Sequence, residues 1–360
     1  MKKIMFKSAL LALAAPLFLA SCSSNSNDEP VNGGEDFQGI MLSIPNIQTR
    51  ATSEEMTINN LKVIVYKSDD LDAPIWSKDL NGSDVSGIQL VSNYKSIPVA
   101  LATGTYKMYI VANIDGYSVD KITGSTTWST ISESDLKDAK ITGLSAINAS
   151  DLGTKYLPLG CSNAEMKVDN NGTKTVLGAT GTINVSSGAS TTVYADLTYC
   201  VAKVNVTVTN ESLPDVTLTS LIMNPSSTTS GLVGNNDDLS KSTADVTLAG
   251  TKSNLARGWE WTGTWYVAEN LYNLANNESR ADGDKTKLNF TFSNSTYNKT
   301  GDNARVLGET TQNGTTTVTG VKRGYEYDVN GTISGKELTI KVAVKEWKYS
   351  KSVQDLDEDK

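Results

Sequence analysis

Leu61-Lys62-Val63-Ile64-Val65-Tyr66-Lys67 is the stretch on which the fold reading turns. β-Branched and aromatic residues dominate it, and strict alternation puts Leu61, Val63 and Val65 on one face of an extended chain. Tyr106, Met108 and Ile110 repeat the pattern within Thr105–Asn113, so these two faces are expected to build a first core. Working outward, the chain is rich in Val, Ile, Thr, Tyr and Ser in short alternating runs broken by Gly, Asn and Asp, the pattern of sandwiches and barrels. Further strands are expected at Phe37–Ile44, Met56–Lys67, Ile97–Leu101, Glu165–Val168, Lys174–Leu177 and Thr182–Ser186. Asp169-Asn170-Asn171-Gly172 reads as a hairpin turn. The clearest helix signal is Ser132–Ile141, with Ser132 or Ser134 as its cap.

Ser186-Ser187-Gly188-Ala189-Ser190 is small and polar, and a domain boundary is expected there. Val193–Val208 then reads as one long strand carrying Val201, Ala202, Val204, Val206 and Val208. Val216–Met223, Thr264–Ala268, Leu288–Ser293, Thr315–Val321, Tyr325–Ile333 and Leu338–Trp347 follow, with turns at Asn313-Gly314 and Gly335. Each half has roughly 150 residues, enough for a core of its own. The expected architecture is all-β: two tandem sandwich domains, residues 37–190 and 191–347, with few short helices.

Composition excludes much chemistry. There is no histidine, which removes Ser-His-Asp and Cys-His catalysis, the HExxH zinc site and any imidazole base. No Gly-x-x-x-x-Gly-Lys-Ser/Thr loop is present and no Gly-x-Gly-x-x-Gly follows a strand, so no nucleotide cofactor is expected. A net charge of −8 opposes nucleic acid as a partner. Cys161 and Cys200 lack a neighbouring histidine or basic cluster and are read as small buried hydrophobes; a disulfide between them is left open but not indicated. Paired carboxylates could hydrolyse a glycoside without histidine, yet no such pair stands out. No catalytic residue and no cofactor is assigned.

Met1-Lys2-Lys3 followed by the apolar run Ser8–Ser21 has the form of a secretory leader, too short to span a membrane. It closes with Leu19-Ala20-Ser21-Cys22, which resembles a bacterial lipobox and implies cleavage before Cys22 and acylation of that residue. Several acyl chains make a firm anchor. Ser23–Glu35 reads as a flexible tether. Arg50 is the only arginine before Arg257, and it ends a loop that follows the first expected strand. One arginine-specific cut at Arg50-Ala51 would remove that strand.

Cys22, the Arg50-Ala51 pair, Trp265-Tyr266-Val267-Ala268-Glu269-Asn270, Arg323-Gly324-Tyr325-Glu326-Tyr327-Asp328-Val329 and the final strand Leu338–Trp347 stand in an order that resembles the fimbrillins, lipoprotein precursors of type V pilins. The resemblance implies two transthyretin-like sandwiches, export to the outer membrane as a lipoprotein, and removal of the first strand by an arginine-specific protease. It also implies filling of the vacated groove by the C-terminal segment of another fimbrial subunit. Ile40, Leu42 and Ile44 alternate and are expected to face the core, with Met41 and Ser43 pointing away. Three such aliphatics contribute about 5 to 9 kcal/mol of hydrophobic stabilisation, which a replacement strand must approach.

The candidate donor is the tail, with Trp347, Tyr349, Val353 and Leu356; Lys348–Leu356 is expected to insert while the acidic end stays wet. The reading set against it is a frayed, solvated terminus. Ser279-Arg280-Ala281 offers a second Arg-Ala pair, and Glu278, Asp282 and Asp284 beside it do not keep calcium-loop spacing, so no metal is assigned. Trp259, Trp261 and Trp265 are read as a core or interface stripe in preference to a carbohydrate platform. The function expected is thus a structural subunit of an adhesive cell-surface fimbria. The alternative is an uncleaved lipoprotein, anchored in the outer membrane, that binds a glycan or protein on a host or bacterial surface.

Overall fold

The computed structural model describes residues 37–44, 55, 57–81, 95–170, 173–234, 243–249, 252–272, 284–293, 304–312, 315–318 and 320–347. It is all-β and sandwich-like, with one short α-helix among the described residues. Two buried hydrophobic clusters organise it.

Two sheets enclose the first cluster. One is ordered Thr173–Val176, Lys167–Asn170, Ser190–Tyr194, β1 (Gly39–Ile44) and β4 (Lys95–Ala100). The other is ordered Thr198–Tyr199, Leu159–Cys161, β5 (Gly104–Ala112), β2 (Asn60–Lys67) and β3 (Trp76–Asn81), with Ile183–Val185 also paired to β5. Leu61, Val63 and Val65 are buried as the alternation requires, but so are Ile64 and Tyr66 on the opposite face. Residues 113–158 cover that second face: the Tyr66 hydroxyl donates to Ile131 O at 3.0 Å, and Leu136 of helix α1 (Glu133–Asp138) is fully buried. α1 begins where Ser132 Oγ accepts from Asp135 N at 3.1 Å, so of the two cap candidates Ser132 is the one used. The helix ends at Asp138, and Ile141 belongs to a short strand instead.

The second cluster lies between a sheet ordered Glu337–Glu346, Tyr325–Ser334, Val201–Asn210, Glu260–Ala268 and Ile147–Asn148 and one ordered Thr243–Ala249, Val216–Ser227, Lys287–Phe292 and Ala304–Val306. The expected single strand Val193–Val208 is in fact divided. Ser190–Tyr194 pairs in the first sheet with β1, and Val201–Asn210 pairs in the second cluster's sheet. The chain changes sheets across residues 195–200. Val201 belongs to the first cluster and Ala202 to the second. Strand Glu260–Ala268 is shared in the same way: Trp265 and Val267 face the second cluster, while Tyr266 and Ala268 face the first. Alternation along one strand therefore serves two cores.

Candidate strand-exchange site

β1 is an interior strand. It runs parallel to Ser190–Tyr194, from Gly39 opposite Ser190 to Ser43 opposite Tyr194, and antiparallel to β4, from Gly39 opposite Ala100 to Ile44 opposite Lys95. Ile40 and Leu42 are fully buried and Ile44 is 1 % exposed, as their spacing predicts. Ser43 is buried as well and Met41 is half-buried, so the face expected to point away is covered too. Gln38 ties the start of the strand on both sides: its amide donates to Leu101 O at 3.1 Å and its carbonyl oxygen accepts from Gly188 N at 3.0 Å. Gly39 has φ +150°, and a Cβ there would sit 2.1 Å from Val99 O. Any strand in this position must therefore supply glycine at that point, or begin after it.

β4 has no other partner strand among the described residues, so it is held in the sheet through β1. Loss of β1 would unpair two edges at once, that of Ser190–Tyr194 and that of β4, and would bare the sockets of Ile40, Leu42 and Ile44. Unpaired edges beside an apolar trough form a template for strand addition.

The chain is fixed again at Glu55, past the Arg50-Ala51 pair. Glu55 is 1 % exposed, and one of its carboxylate oxygens lies 2.8 Å from Lys203 Nζ and accepts the hydroxyl of Tyr266. The Tyr199 hydroxyl donates to Glu55 O at 3.1 Å. Trp347 closes this knot. It is 2 % exposed and stacks on Tyr199 with ring centroids 3.7 Å apart, and on Tyr266 at 5.6 Å; Lys203 Nζ lies 5.6 Å from its ring. Its backbone N–H donates to Gly324 O at 2.7 Å, and Gly324 N donates in turn to Val201 O at 2.9 Å. Arg323 beside it is buried and donates to Gly231 O at 3.0 Å and Gly234 O at 2.9 Å. The two motifs Trp265–Asn270 and Arg323–Val329 thus help seat the segment after Arg50 and the end of the last strand at one place.

Trp347, the first residue of the candidate donor, is here a core residue of its own chain, and leaving to fill a neighbour's groove would open the knot. Tyr349, Val353 and Leu356, the rest of the candidate donor, lie outside the described residues, as do Arg50, Ala51 and Cys22. Sequence reasoning did not single out Glu55, Lys203 or Tyr199. The one available signal was a lysine set among the valines of Val201–Val208.

The tryptophan stripe also breaks up. Trp265 is core and Trp261 packs against it at 5.9 Å, but Trp259 lies outside the strand and is 66 % exposed. Cys161 and Cys200 are free and fully buried. Burial pushes the Cys161 thiol well above its ordinary range and Cys200 up to about 11, despite the opposing pull of Arg323. Among the described residues no cluster of His, Cys, Asp and Glu could hold a metal ion.

Among solved structures, the chain is similar to the tip fimbrial protein Mfa3 of Porphyromonas gingivalis, at 16 % identity and a TM-score of 0.49 over 86 % of this chain and 99 % of that one. It is also similar to a fimbrial assembly protein of Parabacteroides distasonis, at 14 % identity and a TM-score of 0.48 over 85 % of this chain and 94 % of the other. No curated protein matches it in sequence. The family of fimbrillin-A associated anchor proteins Mfa1 and Mfa2 matches residues 50–352. With most of its length matched in this way, the chain belongs to that family of fimbrial proteins.

Proposed function

We propose that this protein is a cell-surface fimbrial subunit exported as a lipoprotein through Cys22, and that the seat of β1 is its strand-exchange site. Two tandem sandwich domains carry it. A protease cutting at Arg50-Ala51 releases β1, and a donor strand from a neighbouring subunit restores the sheet. The observation that carries this reading is the interior position of β1, with Ile40, Leu42 and Ile44 buried and both edges paired, while it is joined to the rest of the chain through the lone arginine. A strand so placed cannot be lost without a successor, because β4 depends on it. The Glu55–Lys203 pair fits the scheme, since it would hold the new N-terminus four residues from the cut.

A second reading is favoured by the tail itself. The three sockets of β1 need apolar residues at alternating positions, and residues 348–360 contain no such triplet: Lys351 stands between Tyr349 and Val353, and Asp355 follows. In this reading the subunit keeps β1, stays anchored through Cys22, and engages a different fimbrial subunit.

Digestion of the intact chain with an arginine-specific protease separates the two. The expected outcome is a new N-terminus at Ala51, faster amide exchange in 95–100, and association with a fimbrial partner that restores protection there. A chain that resists cutting, or that is cut without change at 95–100, rejects exchange at β1 and leaves the anchored reading.

A further inference from the structure

Leu213 and Trp259 are the most exposed large hydrophobic side chains among the described residues, at 81 % and 66 %. They stand on adjacent loops at one end of the second core, and both loops are fastened to the fully buried Asn210. Its side-chain amide donates to Pro214 O at 3.0 Å and Leu255 O at 2.6 Å, and its side-chain oxygen accepts from Ser212 N at 2.9 Å. Its backbone N–H donates to Trp259 O at 3.1 Å, and Gly258 N donates to Asn210 O at 2.6 Å. The turn that presents Trp259 is closed by its own N–H on Ala256 O at 3.0 Å, with Gly258 at φ +80°. The two apolar groups are therefore held out in water by a buried scaffold, the arrangement expected of a site built in advance of its ligand.

From this we infer that Trp259 and Leu213 form a binding platform for a neutral glycan, an inference that rests on the cell-surface placement proposed above. Size favours a sugar: the two side chains offer about 300 Å² of apolar surface, well short of the roughly 800 Å² per partner of a stable protein interface but matched to one or two pyranose rings. Charge selects among ligands. Within two residues of Leu213 or Trp259 in the chain, Glu211, Asp215 and Glu260 are exposed against the one cation Arg257, so anionic membranes and acidic sugars are repelled while hydroxyl groups find acceptors and donors. An indole offers the apolar face of a hexose a flat surface and keeps its N–H for a hydroxyl.

The test is titration of the full-length chain with neutral oligosaccharides, selected first on a glycan array and followed by calorimetry and tryptophan fluorescence. Binding is expected, with Trp259→Ala weakening it at least tenfold and Leu213→Ala severalfold, at unchanged thermal stability because both side chains are exposed. Failure of the unaltered chain to bind any neutral glycan, or binding that Trp259→Ala leaves intact, overturns the inference. So does a Trp259-dependent association with phosphatidylglycerol vesicles or with a second protein chain in place of sugar. None of these readouts uses cleavage or assembly, so the strand-exchange reading stands or falls separately.

Discussion

Replacing Lys203 by methionine would remove the cation from a pair with 2.8 Å separation whose side chains are 9 % and 1 % exposed. Two charges this deep gain little net stability over a well-packed apolar pair, but removing one alone strands the other, which typically costs about 3–5 kcal/mol. Glu55 would retain the Tyr266 hydroxyl, which places the expected loss of unfolding free energy for Lys203→Met near the lower end, about 3 kcal/mol. Glu55→Gln strands Lys203 beside Trp347 and is expected to cost a similar amount. The double variant Glu55→Gln/Lys203→Met leaves no buried charge at the pair and should recover at least about 1–2 kcal/mol relative to the sum of the single effects. Denaturant unfolding of the four proteins gives the coupling energy directly. Amide exchange near residues 57–60 should accelerate in the single variants, because Glu55 holds that segment to the strands of Lys203 and Tyr266. Single losses under about 1 kcal/mol, or strict additivity in the double variant, would refute the view that this pair fastens the chain after Arg50.

Leu42→Ala in β1 should lower stability by about 2–5 kcal/mol, read from denaturant midpoints, because the side chain is fully buried in the first core. Asp328 is partly desolvated, which alone would raise its pKa, but hydrogen bonds from Asn205 and Lys345 outweigh this and hold it below the usual carboxylate range. A depressed folded-state pKa stabilises above the unfolded value, so this contribution is present above about pH 4 and fades as pH falls; Asp328→Asn should flatten the acid limb of the stability curve measured by thermal unfolding. Cys161 and Cys200 should fail to react with a thiol reagent in the native protein at neutral pH and should both titrate after unfolding; native-state labelling within minutes would contradict their burial and raised pKa values.

Local order was legible in the sequence because its causes are local. Alternation placed β2 and β5, the Asn-Gly signal fell between Lys167–Asn170 and Thr173–Val176, and Ser132 announced its helix, since each depends on neighbours within a few residues. Ile40, Leu42 and Ile44 were legible as core for the same reason. The burial of Ile64 and Tyr66 was not, because the segment that covers them is distant in the chain. The change of sheets between Tyr194 and Val201 was also hidden: an alternating pattern is the same whichever sheet receives the strand.

By itself, then, the sequence determined an all-β chain, an inventory without histidine chemistry, and a first strand whose side chains demand a core. The tertiary structure alone decided that this strand sits between two others, that Glu55 meets Lys203, that Trp347 is spoken for by its own core, and that Trp259 is left in water. Each of those is a pairing between segments far apart in the chain, and the identity of a residue limits what it can pair with but does not name the partner. That choice belongs to the packing of the whole molecule, where buried charge and aromatic surface settle only against whatever the fold brings beside them.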